Sequence, residues 1–134
     1  MTGGFTNDLL KGKRALVTGG GTGLGKAIGR RYLELGADLV ICGRRAEALD
    51  ATAREFEQAF GRKVGTISCD IRNADSVEAM FDRIWSSGPL DILVNNAAGN
   101  FIAQSHRLSS RAIDAVLNTC LHGTAYCTIA AGRR

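Results

Sequence analysis

The run Thr18-Gly19-Gly20-Gly21-Thr22-Gly23-Leu24-Gly25 lies between an apolar segment, Ala15-Leu16-Val17, and an amphipathic one that starts near Lys26. Glycine lacks a β-carbon, so such a turn tolerates positive φ and lets backbone N–H groups approach a phosphate. The helix after the turn adds the positive end of its dipole. The ligand this implies is a dinucleotide. A glycine run alone also builds ordinary tight turns, so the rest of the chain has to agree with it.

It does so by alternation. Short β-branched runs at 15–18, 38–42, 64–68 and 92–95 are separated by helical patterns at 23–35, 46–60, 74–86 and 109–131, the order of βαβ units feeding a parallel sheet. With right-handed crossovers the doubly wound arrangement places these strands in the spatial order 3-2-1-4. The ligand crevice then opens where the order reverses, at the carboxyl ends of strands 1 and 4. The glycine turn, Gly43-Arg44-Arg45, Cys69-Asp70-Ile71 and Asn95-Asn96-Ala97-Ala98-Gly99 all fall on that rim.

Composition narrows the partners. The chain has 134 residues, one proline and no low-complexity linker, which suits one domain over 1–134 with one core. A net charge of +4 is spread along the chain rather than blocked with aromatics, which argues against nucleic acid. Cys42, Cys69, Cys120 and Cys127 show neither a CxxC spacing nor the density of a disulfide scaffold, and read as reduced, mostly buried thiols. Met1-Thr2-Gly3-Gly4-Phe5 carries no leader pattern and no segment has transmembrane length. A cytoplasmic protein is therefore expected, with no membrane partner.

An acidic residue at the end of the second strand would favour a free ribose 2′-hydroxyl. This chain has Arg44 and Arg45 there, and a guanidinium can fork onto a 2′-phosphate, so NADPH is expected over NADH, with Arg44 as the reader. Asp70 has two readings, acceptor for the adenine amine or turn former, with Asn73 and Asp75 as competing caps. Asn96 can bridge backbone groups at the switch point, and the small Ala97 leaves room for a nicotinamide ribose. His106 and His122 have no partner at metal-ligand spacing, so no metal site is expected. His122 reads as a polar core or interface residue, and Cys120 and Cys127, seven residues apart, as packing residues on one helix face.

These motifs resemble the short-chain dehydrogenase/reductase family: residues 18–25 look like its TGxxxGxG loop and Asn95-Asn96-Ala97-Ala98-Gly99 like its NNAG motif. The extension to Asn100-Phe101, with Arg107-Leu108-Ser109 after it, is similar to the 2,4-dienoyl-CoA reductases. The resemblance implies a Rossmann sheet and NADPH bound by Gly19, Gly20, Gly21, Thr22, Gly23, Leu24, Arg44, Asp70, Asn96 and Ala97. It also implies an acyl-CoA thioester met by Arg72, Phe101 and Ser109, and Asn100 as a catalytic partner of a tyrosine. The reaction would be hydride transfer to the δ-carbon of the dienoyl thioester and protonation at the α-carbon, in fatty-acid β-oxidation.

That family also carries a YxxxK pair. Here Gly36 and Ala130 stand four residues after Tyr32 and Tyr126, and Cys120 stands where many members place asparagine. The resemblance thus implies an N-terminal half, with the C-terminal strands absent, inactive alone, and a full-length homo-oligomer. Its fourth strand would be an uncovered apolar edge, favouring self-association. Another short-chain reductase acting on ketoacyl, sugar or alcohol substrates, or a non-catalytic NADP-binding module, would use the same half-sheet.

Overall fold

Ala15, Leu16 and Val17 are each fully buried, as a strand must be when both of its faces are covered by helices. In a computed structural model describing residues 4–134, this strand, β1 (Arg14–Thr18), is central. It pairs in parallel with β2 (Asp38–Gly43) on one side and β4 (Ile92–Val94) on the other, and β3 (Gly65–Ser68) pairs with β2. The order β3-β2-β1-β4 is the one expected from the sequence. Met1-Thr2-Gly3, part of the stretch read for a leader, lie outside the described residues.

Side chains alternate between two helical layers because successive strand residues face opposite ways. Ala15, Val17, Leu39 and Ile41 pack with Leu33 of α1 (Gly23–Glu34) and with Leu49, Ala53 and Phe56 of α2 (Ala46–Phe60). Leu16, Val40 and Cys42 point the other way, onto Val77, Met80, Phe81 and Ile84 of α3 (Ala74–Ser86). Asn73 caps α3 by accepting from the Ser76 N–H at 2.9 Å. At the far end the Arg14 guanidinium donates to the Ile84 carbonyl in the last turn of α3 at 2.9 Å and to the Gly88 carbonyl just beyond the helix at 2.7 Å.

The last helix differs from the expected single span. It runs as α4 (Ser110–Leu117), a widened π-type turn over Asn118–Gly123, and α5 (Thr124–Gly132). Gly123 is buried against Ile71, where a Cβ would come within 2.6 Å of Ile71 Cδ1, and the widened turn accompanies this close approach. An inserted residue rotates α4 relative to α5 about the helix axis. Cys127 is therefore fully buried in the core, whereas Cys120 is half-buried with its thiol 3.5 Å from the Gly99 carbonyl, and the two do not share one packed face. His122, expected in the core or at an interface, is exposed, with Nδ1 3.0 Å from Asn118 Oδ1.

Among the described residues β4 has no outer strand partner, and Ile113, Leu117, Leu121 and Ile129 of the last helix are exposed. No helix is long and apolar enough to cross a membrane, and no cluster of histidine, cysteine or carboxylate side chains suited to a metal is found among those residues.

All four cysteines are free. Burial pushes the Cys69 thiol up to about 11 and the Cys127 thiol up to about 12, and raises Cys42 further, with neighbouring thiols adding to the Cys42 and Cys127 shifts. Since the thiolate is the nucleophile, an aromatic disulfide reagent at about pH 8 is expected to titrate Cys120 rapidly and the other three only on unfolding. Rapid reaction of more than one thiol in the folded protein, read by mass spectrometry, would contradict this packing.

Candidate dinucleotide cleft

β1 ends at Thr18, and the chain must turn within a few residues to start α1. Gly19 adopts φ +66°, a region open to glycine with little cost. The Gly19 and Gly20 N–H groups both bond the Cys42 carbonyl of the adjacent strand, at 2.8 and 3.2 Å. These two glycines therefore shape the turn instead of presenting donors. Among the described residues the N–H groups of Thr22, Gly23, Leu24 and Gly25 have no protein acceptor. Thr22 caps α1 without a side-chain hydrogen bond, and the first turn of α1 carries no acidic residue. The positive end of α1 is thus uncompensated and faces a cleft, an arrangement that suits an anion.

The opposite wall is tied to this turn by one buried hydroxyl. Thr18, fully buried, accepts from the Asn96 and Ala97 N–H groups through Oγ1, each at 3.0 Å. Asn96 Nδ2 donates back to the Thr18 carbonyl at 2.9 Å and to that of Gly19 at 3.3 Å. Asn95 turns away and donates to Thr128 of α5 at 3.0 Å. The asparagine pair therefore bridges the switch point on one side and anchors the last helix on the other.

Between these walls lies a cleft of about 860 Å³ at the carboxyl ends of the strands. Gly19, Gly21, Thr22, Gly23, Leu24, Arg44, Asp70, Arg72, Asn96 and Ala97 all line it, whereas Gly20 packs against Ile41. Asp70 accepts from the Arg72 backbone at 3.1 Å and holds the Arg72 guanidinium at 2.6 to 3.1 Å. The Arg72 guanidinium keeps the Asp70 carboxyl below its ordinary range, with the Arg72 N–H and Arg44 acting in the same direction. Among the described residues the only carboxylate on this rim is thus an ion-paired one, and Arg44 and Arg45 line the cleft with it.

Arg72 consequently sits with the residues read as cofactor ligands. Phe101 is exposed outside the cleft, and Asn100 is on the same exposed stretch. Ser109 caps α4, accepting from the Ala112 N–H at 3.2 Å. Sequence reasoning overlooked Thr52, which is buried under the glycine turn and donates to the Gly21 carbonyl at 2.7 Å. The signal was there: Leu49, Thr52, Ala53 and Phe56 form the i, i+3, i+4, i+7 stripe of α2, and Thr52 is the polar member of it.

Comparison with known proteins agrees with this fold. The family described as short chain dehydrogenase matches residues 13–133. A probable 2,4-dienoyl-CoA reductase 3 of Caenorhabditis elegans is 45% identical over 128 residues, 93% of this chain and 41% of that protein. A probable 2,4-dienoyl-CoA reductase of Bacillus subtilis is 38% identical over 122 residues, 90% of this chain and 48% of that protein. The solved structure of a citronellol catabolism dehydrogenase from Pseudomonas aeruginosa superposes with a TM-score of 0.91 at 31% identity, covering 99% of this chain and 54% of its own. The chain thus spans less than half the length of these two curated relatives.

Proposed function

Because the chain belongs to the short-chain dehydrogenase family, we propose that residues 1–134 form the NADP-binding unit of an oxidoreductase of the 2,4-dienoyl-CoA reductase kind. The observation that carries the cofactor half of this reading is the pairing of an uncompensated helix N-terminus with a rim whose carboxylate, Asp70, is neutralised by Arg72. The free N–H groups from Thr22 to Gly25 suit a pyrophosphate. Arg44 directly follows β2, where a carboxylate would repel a ribose 2′-phosphate and a guanidinium suits it. Asp70 would accept from an adenine amine by sharing an oxygen that takes hydrogen bonds from Arg72. Asn96 and Ala97 form the wall against which a nicotinamide ribose would lie.

When bound, NADPH supplies the hydride for reduction of a conjugated acyl-CoA thioester. The substrate half of the reading is supported by the relatives' names and by the stretch Asn100-Phe101, which lies just past the cleft wall. Asn100 would donate to the thioester oxygen, where negative charge develops, and Phe101 and Ser109 would meet the acyl-CoA, with Arg72 reaching it from the cleft rim. The four free cysteines fit a reducing compartment such as the cytoplasm.

Titration of NADPH and NADH against the purified chain, followed by cofactor fluorescence, tests the cofactor assignment. NADPH is expected to bind more tightly, and Arg44→Ala to weaken it about 10- to 100-fold, the size of a lost charge-assisted hydrogen bond. NADH affinity should stay within about twofold, since its ribose offers Arg44 no phosphate. Equal affinities for the two cofactors in the unsubstituted chain would overturn the assignment.

A further inference from the structure

Thr52 is 2% exposed, sits on α2 rather than on the glycine turn, and directs its hydroxyl at one atom, the Gly21 carbonyl oxygen 2.7 Å away. The turn rests on this helix: a Cβ on Gly21 would lie 3.2 Å from Leu49 Cδ2 and 3.4 Å from the Ala48 backbone. No cis peptide is present among the described residues, and in a trans peptide the C=O and the next residue's N–H point in opposite directions. A carbonyl drawn down onto Thr52 therefore turns the Thr22 N–H upward, toward the cleft that Gly21 and Thr22 line. Thr22 is also the cap residue whose own side chain makes no capping bond, and among the described residues no other hydrogen bond holds the Gly21 carbonyl or the Thr22 N–H.

We propose that Thr52 is a positioning residue for dinucleotide binding, setting the Gly21–Thr22 peptide so that its N–H is presented to the pyrophosphate. The inference rests on the dinucleotide reading of the cleft. It also gives α2 two tasks, because the helix begins immediately after the Arg44-Arg45 pair and its early residues Ala48 and Leu49 line the same cleft. The 2′-phosphate end and the pyrophosphate end are thereby built from one rigid element.

The test compares two ligands that share the adenine and 2′-phosphate but differ in the pyrophosphate: NADPH and adenosine 2′-monophosphate. Thr52→Val removes the hydroxyl at nearly constant volume. It is expected to weaken NADPH by about five- to tenfold, the range of one lost orienting hydrogen bond, and to leave adenosine 2′-monophosphate unchanged. Thr52→Ser, which keeps the hydroxyl, should bind both as the unsubstituted chain does. If Thr52→Val fails to fold, Thr52→Cys takes its place with the same expected split. Equal weakening of both ligands, no weakening of either, or failure of Thr52→Ser to restore NADPH binding would each overturn the inference. Should the unsubstituted chain bind neither ligand, the dinucleotide reading itself falls, and this inference with it.

Discussion

Gly25→Ala is expected to abolish measurable dinucleotide binding and to lower the melting temperature, although it adds a single methyl group and alanine is the better helix former. The added Cβ would lie on the Gly19 carbonyl oxygen and 2.5 Å from Asn96 Nδ2. Neither neighbour can give way cheaply. The Gly19 carbonyl accepts from Asn96, and the Gly19 and Gly20 N–H groups are bonded to Cys42 of β2. Asn96 is held in turn by Thr18. The start of α1 must therefore move away from the turn, carrying with it the free N–H groups of Thr22 to Gly25. Overpacking of this kind costs about 1–3 kcal/mol, a fall in melting temperature on the order of 5–10 °C for a chain of this size. Loss of aligned donors should weaken NADPH by at least about 100-fold, since several charge-assisted hydrogen bonds are affected together. Gly132→Ala is the control, because a Cβ there meets nothing within 4 Å, and it should leave both measurements unchanged. Binding of NADPH to the Gly25→Ala variant at the unsubstituted affinity would show that the turn is not the phosphate site.

The parallel sheet and its order were legible because local pattern and global rule coincide. Each strand is a short apolar run between turn signals, and the doubly wound rule converts chain order into spatial order. Strand ends were less legible because hydrogen bonds to side chains decide them. β3 begins at Gly65 rather than Val64, whose N–H goes to Glu57 Oε1 at 3.2 Å. β4 stops at Val94 because the Asn96 N–H leaves the ladder for Thr18 Oγ1 and the Val94 carbonyl. The widened turn at 118–123 could not be read at all. Its letters continue a helical pattern, and its companion is a contact between Gly123 and Ile71, residues far apart in the chain.

The candidate site divides in the same way. Glycine turn, Arg44, Asp70 and Asn96 were visible because each sits at a strand end, and the fold rule brings strand ends together. Arg72 took a place beside Asp70 because an ion pair two residues apart closes a tight turn. Thr18 enters the sequence reading only as the first letter of the glycine-rich run, with no role for its hydroxyl, and Thr52 does not enter it. Both look like ordinary strand and helix letters, and only the tertiary structure shows that each hydroxyl serves backbone groups of another segment.

Thr18 carries the second large effect, and it runs against side-chain volume and strand propensity. Valine fills nearly the same space as threonine and is the better strand former, so Thr18→Val would be harmless or stabilising if Thr18 served only as part of β1. Serine removes a buried methyl, which costs about 1 kcal/mol, and is the poorer strand former. The hydrogen bonds reverse this order. Without Oγ1 the Asn96 N–H keeps at most the Val94 carbonyl at 3.0 Å, and the Ala97 N–H has no other acceptor among the described residues. Orphaning the part-buried Ala97 donor costs about 1–3 kcal/mol and the lost bond to the Asn96 N–H about 1 kcal/mol more, so Thr18→Val is expected to lose about 2–4 kcal/mol on urea unfolding, and Thr18→Ser about 1 kcal/mol. NADPH binding should track stability, because the loosened Asn96 also releases the Thr18 and Gly19 carbonyls that hold the turn. A Thr18→Val variant at least as stable as Thr18→Ser would mean that strand packing, and not the hydroxyl bridge between β1 and the 95–97 segment, holds the two walls of the cleft together.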